Sequence, residues 1–100
     1  MRPIHLVELD KPRPAVILTR EEVVTFRNLV SVVAITATVR GLSTEVPVGL
    51  ENGLDKSSVV NCDDVHTVPA SRIGKFLGYL LEEQEEELAE AIIAAFDLQA

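Results

Sequence analysis

The sequence has no tryptophan, only four aromatic side chains (Phe26, Phe76, Tyr79 and Phe96) and a single cysteine. So few aromatics exclude the row of stacking platforms on which ordinary single-strand nucleic-acid binders lay their bases. One cysteine, Cys62, excludes an intramolecular disulfide, fits a reducing compartment and reads as a small packed residue. No apolar run approaches the roughly 18 residues of a membrane-spanning helix. Met1-Arg2-Pro3 leads into strand-like sequence rather than a secretory leader, so a cytoplasmic protein without membrane contact is expected. Histidines, cysteine and carboxylates show no metal-ligand spacing, so neither a metal nor another cofactor is expected.

Excess positive charge is missing too, and the net charge is −7. Its distribution matters more than its size. All nine Lys and Arg precede residue 82, where nine acids balance them; the other seven acids, from Glu82 to Asp97, lie at the C-terminal end. The body of the chain is therefore neutral, and whole-chain charge says little about what that body binds. Non-specific attraction to phosphate should be weak.

What is present is β-sequence. Ile4–Leu9 alternates loosely, and Pro3 stands where a missing N–H is tolerated. Asp10-Lys11-Pro12 is a tight connection to a second strand, Pro14–Thr19. Thr19-Arg20-Glu21-Glu22 matches a capping box for a short helix over about Glu21–Phe26, with a plain loop as the alternative. Leu29–Thr38 is apolar at both parities, which places it in the sheet centre with both faces covered. Ser43–Leu50 carries Pro47 and reads as an edge or bulged strand. Asn52-Gly53 is the strongest turn signal. Ser57–Cys62 and Val65–Val68 read as short strands broken by Asp63-Asp64, and Ile73–Leu80 as a last strand bent at Gly74 and Gly78. From Leu81 to Leu98 the period becomes helical, with Leu88, Ile92 and Phe96 facing the sheet and glutamates in the first turns, where the helix dipole favours them. One domain over residues 1–100 is expected: mainly β, a small strongly curved antiparallel barrel over about 3–80, and a C-terminal α-helix over about 81–98.

Two strands carry polar groups at one end: Arg13-Pro14 opens Ala15–Thr19, and Thr36–Gly41 closes the run from Leu29. A guanidinium and a hydroxyl fixed at neighbouring strand ends can grip a phosphate.

Three blocks carry a resemblance: Arg13-Pro14-Ala15-Val16-Ile17-Leu18-Thr19, Ala34-Ile35-Thr36-Ala37-Thr38-Val39-Arg40-Gly41 and Ser58-Val59-Val60-Asn61-Cys62-Asp63-Asp64-Val65-His66-Thr67-Val68. In order and approximate spacing they resemble the MazF/PemK family of toxin endoribonucleases, and the chain ends look like its short-loop actinobacterial branch. The resemblance implies a partly open SH3-like barrel of the CcdB/MazF type, a homodimer, metal-independent cleavage of single-stranded RNA, and a MazE-like antitoxin whose acidic tail covers the groove. It places the family's catalytic arginine on Arg13 and its catalytic threonine on Thr36. A V-V-R-C-D block of some members reads Val59-Val60-Asn61-Cys62-Asp63 here, so Asp63 matches as a third catalytic residue and the arginine does not. The family's Gly-Asp/Glu-Ile/Leu-Trp opening is absent. Asp10-Lys11-Pro12 is also shorter than the usual groove-covering loop, which implies a more open site.

Such cleavage uses the ribose 2′-hydroxyl as nucleophile. Arg13 suits stabilisation of the dianionic phosphorane, Thr36 the alignment of phosphate and nucleophile, and Asp63 proton removal. Lys11, Thr38, Arg40, Ser43, Asn61 and His66 are the candidate RNA contacts, because unpaired bases are read by hydrogen-bonding side chains. Two alternatives stay open: a non-catalytic toxin of the same fold acting on a protein such as gyrase, and a plain barrel serving as a binding module.

Overall fold

The computed structural model describes residues 1–24 and 28–99. Six strands form one antiparallel sheet: β1 (Pro3–Glu8), β2 (Pro12–Ile17), β3 (Leu29–Thr36), β4 (Glu45–Val48), β5 (Ser58–Pro69) and β6 (Ile73–Tyr79). Their spatial order is β4-β5-β3-β2-β1-β6. A short helix α1 (Glu21–Val24) follows β2, and a long helix α2 (Glu82–Phe96) ends the chain.

β3 is interior and β4, with Pro47, is an edge strand, both as the sequence pattern predicts. The sheet is not closed into a barrel: among the described residues, edge strands β4 and β6 do not pair with each other. A 3-10 turn, Leu50–Asn52, sits against β6 instead. Asn52-Gly53 is accordingly no hairpin turn. Gly53 caps the 3-10 turn at φ 82°, and a Cβ there would collide with the Leu77 carbonyl, so this close approach of backbones needs glycine.

Alternation along the strands makes two cores. On one face Ile4, Val16, Val33, Ile35, Val46, Val60, Cys62 and Leu80 pack with Leu88 and Ala91 of α2. On the other, Val7, Ala15, Ile17, Val30, Val32 and Val68 form a smaller cluster. Cys62 is fully buried, and burial pushes its thiol up to about 11, so it packs and does not react.

Three expectations change. Asp63-Asp64 does not break β5, which runs through as a single strand. It kinks there: Val33 pairs with Val65 but Ile35 with Val60, so residues 61–64 stand against Ala34 alone, and of this stretch Asn61 pairs with Glu45 of β4. Thr19 is no helix cap, because its hydroxyl accepts the Ser31 N–H at 2.8 Å across the sheet. The rest of the helix expected to reach Phe26 falls on residues 25–27, outside the described ones. Phe96 is 55% exposed rather than packed. The buried stripe of α2 is Gln84, Leu88 and Ala91, and Glu85 lies 3.8 Å from Arg2 at its margin.

Gln84 is buried because it completes a polar network in the opening between the edge strands. Asn52, fully buried, donates from Nδ2 to the Tyr79 carbonyl (2.8 Å) and to Gln84 Oε1 (2.7 Å), and its Oδ1 accepts the Gly49 N–H (3.0 Å). Gln84 accepts the Leu81 N–H (2.9 Å) and donates to the Pro47 carbonyl (3.2 Å). Two amides thus tie β4, the 3-10 turn, β6 and the start of α2 together. Removing Asn52 strands several buried backbone groups without partners, so Asn52→Ala is expected to cost about 2–4 kcal/mol in urea unfolding. An exposed control, Glu86→Ala, should stay within about 0.5 kcal/mol of the parent.

Candidate active site

β1 and β2 form a hairpin whose turn is closed by the Leu9 N–H on the Lys11 carbonyl (3.2 Å). β2 pairs with β3 only over Ala15–Ile17. Pro14, which has no N–H to give, stands where that ladder stops. Beyond it the strand ends separate and leave a pocket of about 400 Å³, lined by residues that include Asp10, Arg13, Thr36, Thr38, Arg40, Glu45, Asn61, Asp64 and His66. Alternation places it at the margin of the smaller core, on the sheet face opposite α2.

Asp10 grips Arg13 side-on: Nε donates to Oδ1 at 2.8 Å and one terminal nitrogen to Oδ2 at 3.1 Å. A guanidinium has five N–H donors, so this bidentate bond leaves the other edge free for a phosphate while fixing its plane. The hydrogen bond, with charge attraction behind it, holds the Asp10 carboxyl well below the usual carboxylate range. The same bond pushes the Arg13 guanidinium up, with the charges of Asp10 and Asp64 adding to the effect.

Thr36 ends β3, and its Oγ1 accepts the Thr38 N–H at 3.1 Å, folding the chain out of the sheet. The loop that follows is held by Glu45, whose carboxylate accepts the N–H groups of Arg40, Gly41 and Leu42 at 2.8–3.2 Å. Gly41 takes φ 74°, which turns successive N–H groups toward one anion. Asn61 faces the pocket beside Glu45, its register partner on β4. On β5, His66 Nε2 lies 2.6 Å from Asp64 Oδ1.

Of the residues singled out from sequence, Arg13, Thr36, Thr38, Arg40, Asn61 and His66 line this one pocket. Asp63, Lys11 and Ser43 do not. Asp63 points away, accepting the Thr44 hydroxyl at 2.6 Å, because successive residues of a strand face opposite sides. Of this adjacent pair it is Asp64 that faces the pocket. Lys11 lies in the hairpin turn and Ser43 beyond the Glu45-held loop, both exposed. Sequence reasoning missed Asp10, Glu45 and Asp64. The i, i+3 spacing of Asp10 to Arg13 across a tight turn was the available signal for the first. His5 is remote: its Nδ1 contacts the Gly74 carbonyl at 2.9 Å and its ring meets Phe76 edge-on. No described aromatic lines the pocket.

Residues 4–96 match the model of the PemK-like, MazF-like toxins of type II toxin–antitoxin systems. The chain belongs to this family. It is 57% identical over 98 residues to endoribonuclease MazF3 of Mycobacterium tuberculosis, covering 98% of this chain and 95% of that protein. It superposes on the Mycobacterium tuberculosis toxin MazF-mt6 with a TM-score of 0.97 at 56% identity, covering 99% and 100% of the two chains. A mycobacterial endoribonuclease solved in complex with its cognate antitoxin shares the fold, with a TM-score of 0.86 at 22% identity over 98% and 94% of the chains.

Two outcomes follow for this family member. The depressed folded-state affinity of Asp10 for protons means that its pair with Arg13 adds stability above the ordinary carboxylate range, lost only as pH falls through the lower folded value. In a carbon NMR titration the Asp10 carboxyl should stay ionised from pH 5 to pH 3, whereas in Arg13→Gln it should titrate near 4. For Glu45→Ala, amide exchange at Gly41 and Leu42 should accelerate by roughly tenfold or more, since charge-assisted bonds to backbone donors are lost.

Proposed function

We propose that this family member is an endoribonuclease toxin that cuts single-stranded RNA in the Arg13–Thr36 pocket by 2′-hydroxyl attack, without a metal ion. The observation that carries this reading is the clamped Arg13, whose free edge shares a pocket with the Thr36 hydroxyl.

The 2′ oxygen adds to phosphorus in line with the 5′ oxygen, giving a 2′,3′-cyclic phosphate and a free 5′-hydroxyl. Charge builds on the non-bridging oxygens during this step, and a permanently cationic fork is suited to receive it. Because Asp10 fixes the plane of Arg13, little reorganisation is required as that charge develops. Thr36 supplies a hydroxyl, already oriented by the Thr38 N–H, to hold phosphate or nucleophile in line. Thr38, Arg40 and Asn61 are the contacts to neighbouring nucleotides; Lys11 and Ser43 serve at the rim or not at all.

The pocket's acids do not repel the substrate as free charges would. Asp10 is bonded to Arg13, Glu45 to three backbone N–H groups and Asp64 to His66. The glutamates of α2 lie on the opposite sheet face, where they support solubility.

Family membership further supports inhibition by a MazE-like antitoxin, which would set a carboxylate or backbone oxygen against Arg13 and so compete with RNA. A homodimer acting in the cytoplasm completes the reading. No helix among the described residues is long and apolar enough to cross a membrane.

Purified protein is expected to cut a long mixed-sequence transcript in EDTA. Arg13→Gln and Thr36→Ala should each lower the rate by about 10²–10³, with melting temperatures close to the parent because neither side chain belongs to a core cluster. Parental rates in both variants would remove the basis of the reading.

A further inference from the structure

We propose that His66 is the general base of the reaction and that Asp64 is its positioning residue; the assignment rests on the endoribonuclease reading above. Removal of the 2′ proton needs a group in the pocket with an uncommitted lone pair, and the lining residues offer few. Arg13 and Arg40 are guanidiniums and accept no proton. The Asp10 carboxylate is occupied by Arg13 and that of Glu45 by the N–H groups of residues 40–42. The Thr36 oxygen already accepts the Thr38 N–H. Asp63, the acid the sequence pattern favours for this role, lies outside the pocket on the Thr44 hydroxyl.

His66 and its partner Asp64 remain, and of the two the imidazole has the geometry that suits the task. It stands opposite Val32 in the β3–β5 ladder, on the sheet face that carries the pocket. Its Nε2 lies 2.6 Å from Asp64 Oδ1. An ionised carboxylate only accepts, so Nε2 carries the proton of this bond and Nδ1 is left with the lone pair. A carboxylate placed behind an imidazole in this way fixes tautomer and orientation and stabilises the imidazolium that forms. In the step, the 2′ oxygen bonds to phosphorus while the P–O5′ bond breaks. The 2′ proton passes to Nδ1, and the departing O5′ takes a proton from water. The imidazolium then returns its proton to solvent.

The charged groups facing His66 are Asp64 on its own strand, Asp10 and Arg13 at the β1–β2 hairpin, and Arg40 and Glu45 beyond β3. Carboxylates as a class are ionised and guanidiniums protonated between pH 5 and 8, so these neighbours hold their charges across that window. A base acts when deprotonated, so the rate should rise with pH across that window and then level.

The test is single-turnover cleavage in EDTA of a mixed-sequence transcript, from pH 5 to 9, beside binding of the same RNA made cleavage-resistant by 2′-O-methylation. His66→Gln should lose the rising limb and about 10²–10⁴-fold in saturating rate, with Kd for the methylated RNA within about twofold of the parent; His66→Asn should repeat this. Asp64→Asn should keep the limb but move it to lower pH, since the imidazolium loses its stabilising charge. An unchanged limb in both His66 variants overturns the assignment, as does weaker binding at an unchanged saturating rate, which would make His66 an RNA contact. A parent protein that cuts nothing at any pH overturns the endoribonuclease reading and this assignment together.

Discussion

The change of register in β5 is the constraint on which the site depends. Where Val65 pairs with Val33 and Val60 with Ile35, four residues on β5 face one on β3. A regular ladder would carry β5 straight past the end of β3, and residues 61–64 would lie flat in the sheet. The kink turns them toward β4, with the Cys62 N–H reaching the Thr44 carbonyl at 2.9 Å. Asn61, Asp64 and His66 thereby become one wall of a pocket whose opposite wall is the β1–β2 hairpin. Rigid strands hold both walls, which is what a site needs to keep its groups within fractions of an ångström of working geometry.

Charge is partitioned just as strictly. A chain with a net charge of −7 is a poor candidate for contact with a polyanion unless its acids are placed or neutralised. Here most of the excess is displaced to α2, whose buried stripe fastens it to the far sheet face. The remaining acids near the pocket are bound to specific donors, and those bonds also fix Arg13, the loop over residues 40–42 and His66. Each carboxylate thus positions a functional group while its own charge is screened.

Much of this was legible in the sequence because strands and cores follow alternation. The strand ends at Arg13 and Thr36, the edge character imposed by Pro47 and the packed role of Cys62 all came from local pattern. What escaped depends on contacts between distant segments. Parity could not distinguish Asp63 from Asp64, because a kink resets which residues face inward, and no local signal fixes the size of a register shift. Buried Gln84 looks like one more polar residue on an acidic helix until Asn52, thirty-two positions earlier, is brought against it. Sheet closure failed to follow from strand count because the edges are bridged by a turn and two amides. Thr19 matched a helix cap, yet the same hydroxyl served better across the sheet, a tertiary contact overriding a local preference.

The scarcity of aromatics constrains how such a pocket can discriminate. Stacking adds affinity with little regard to base identity, since every base presents a π-face. A pocket lined by a guanidinium pair, hydroxyls, an amide and an imidazole reads donors and acceptors instead. Sites built on hydrogen bonds reject a mismatched partner severely, because the wrong base leaves desolvated polar groups unpaired. On the proposed reading, weak attraction to RNA in general and strong selection among sequences are therefore one property of this surface. An excess of cations or a row of tyrosines would raise affinity for all RNA and erode that selectivity.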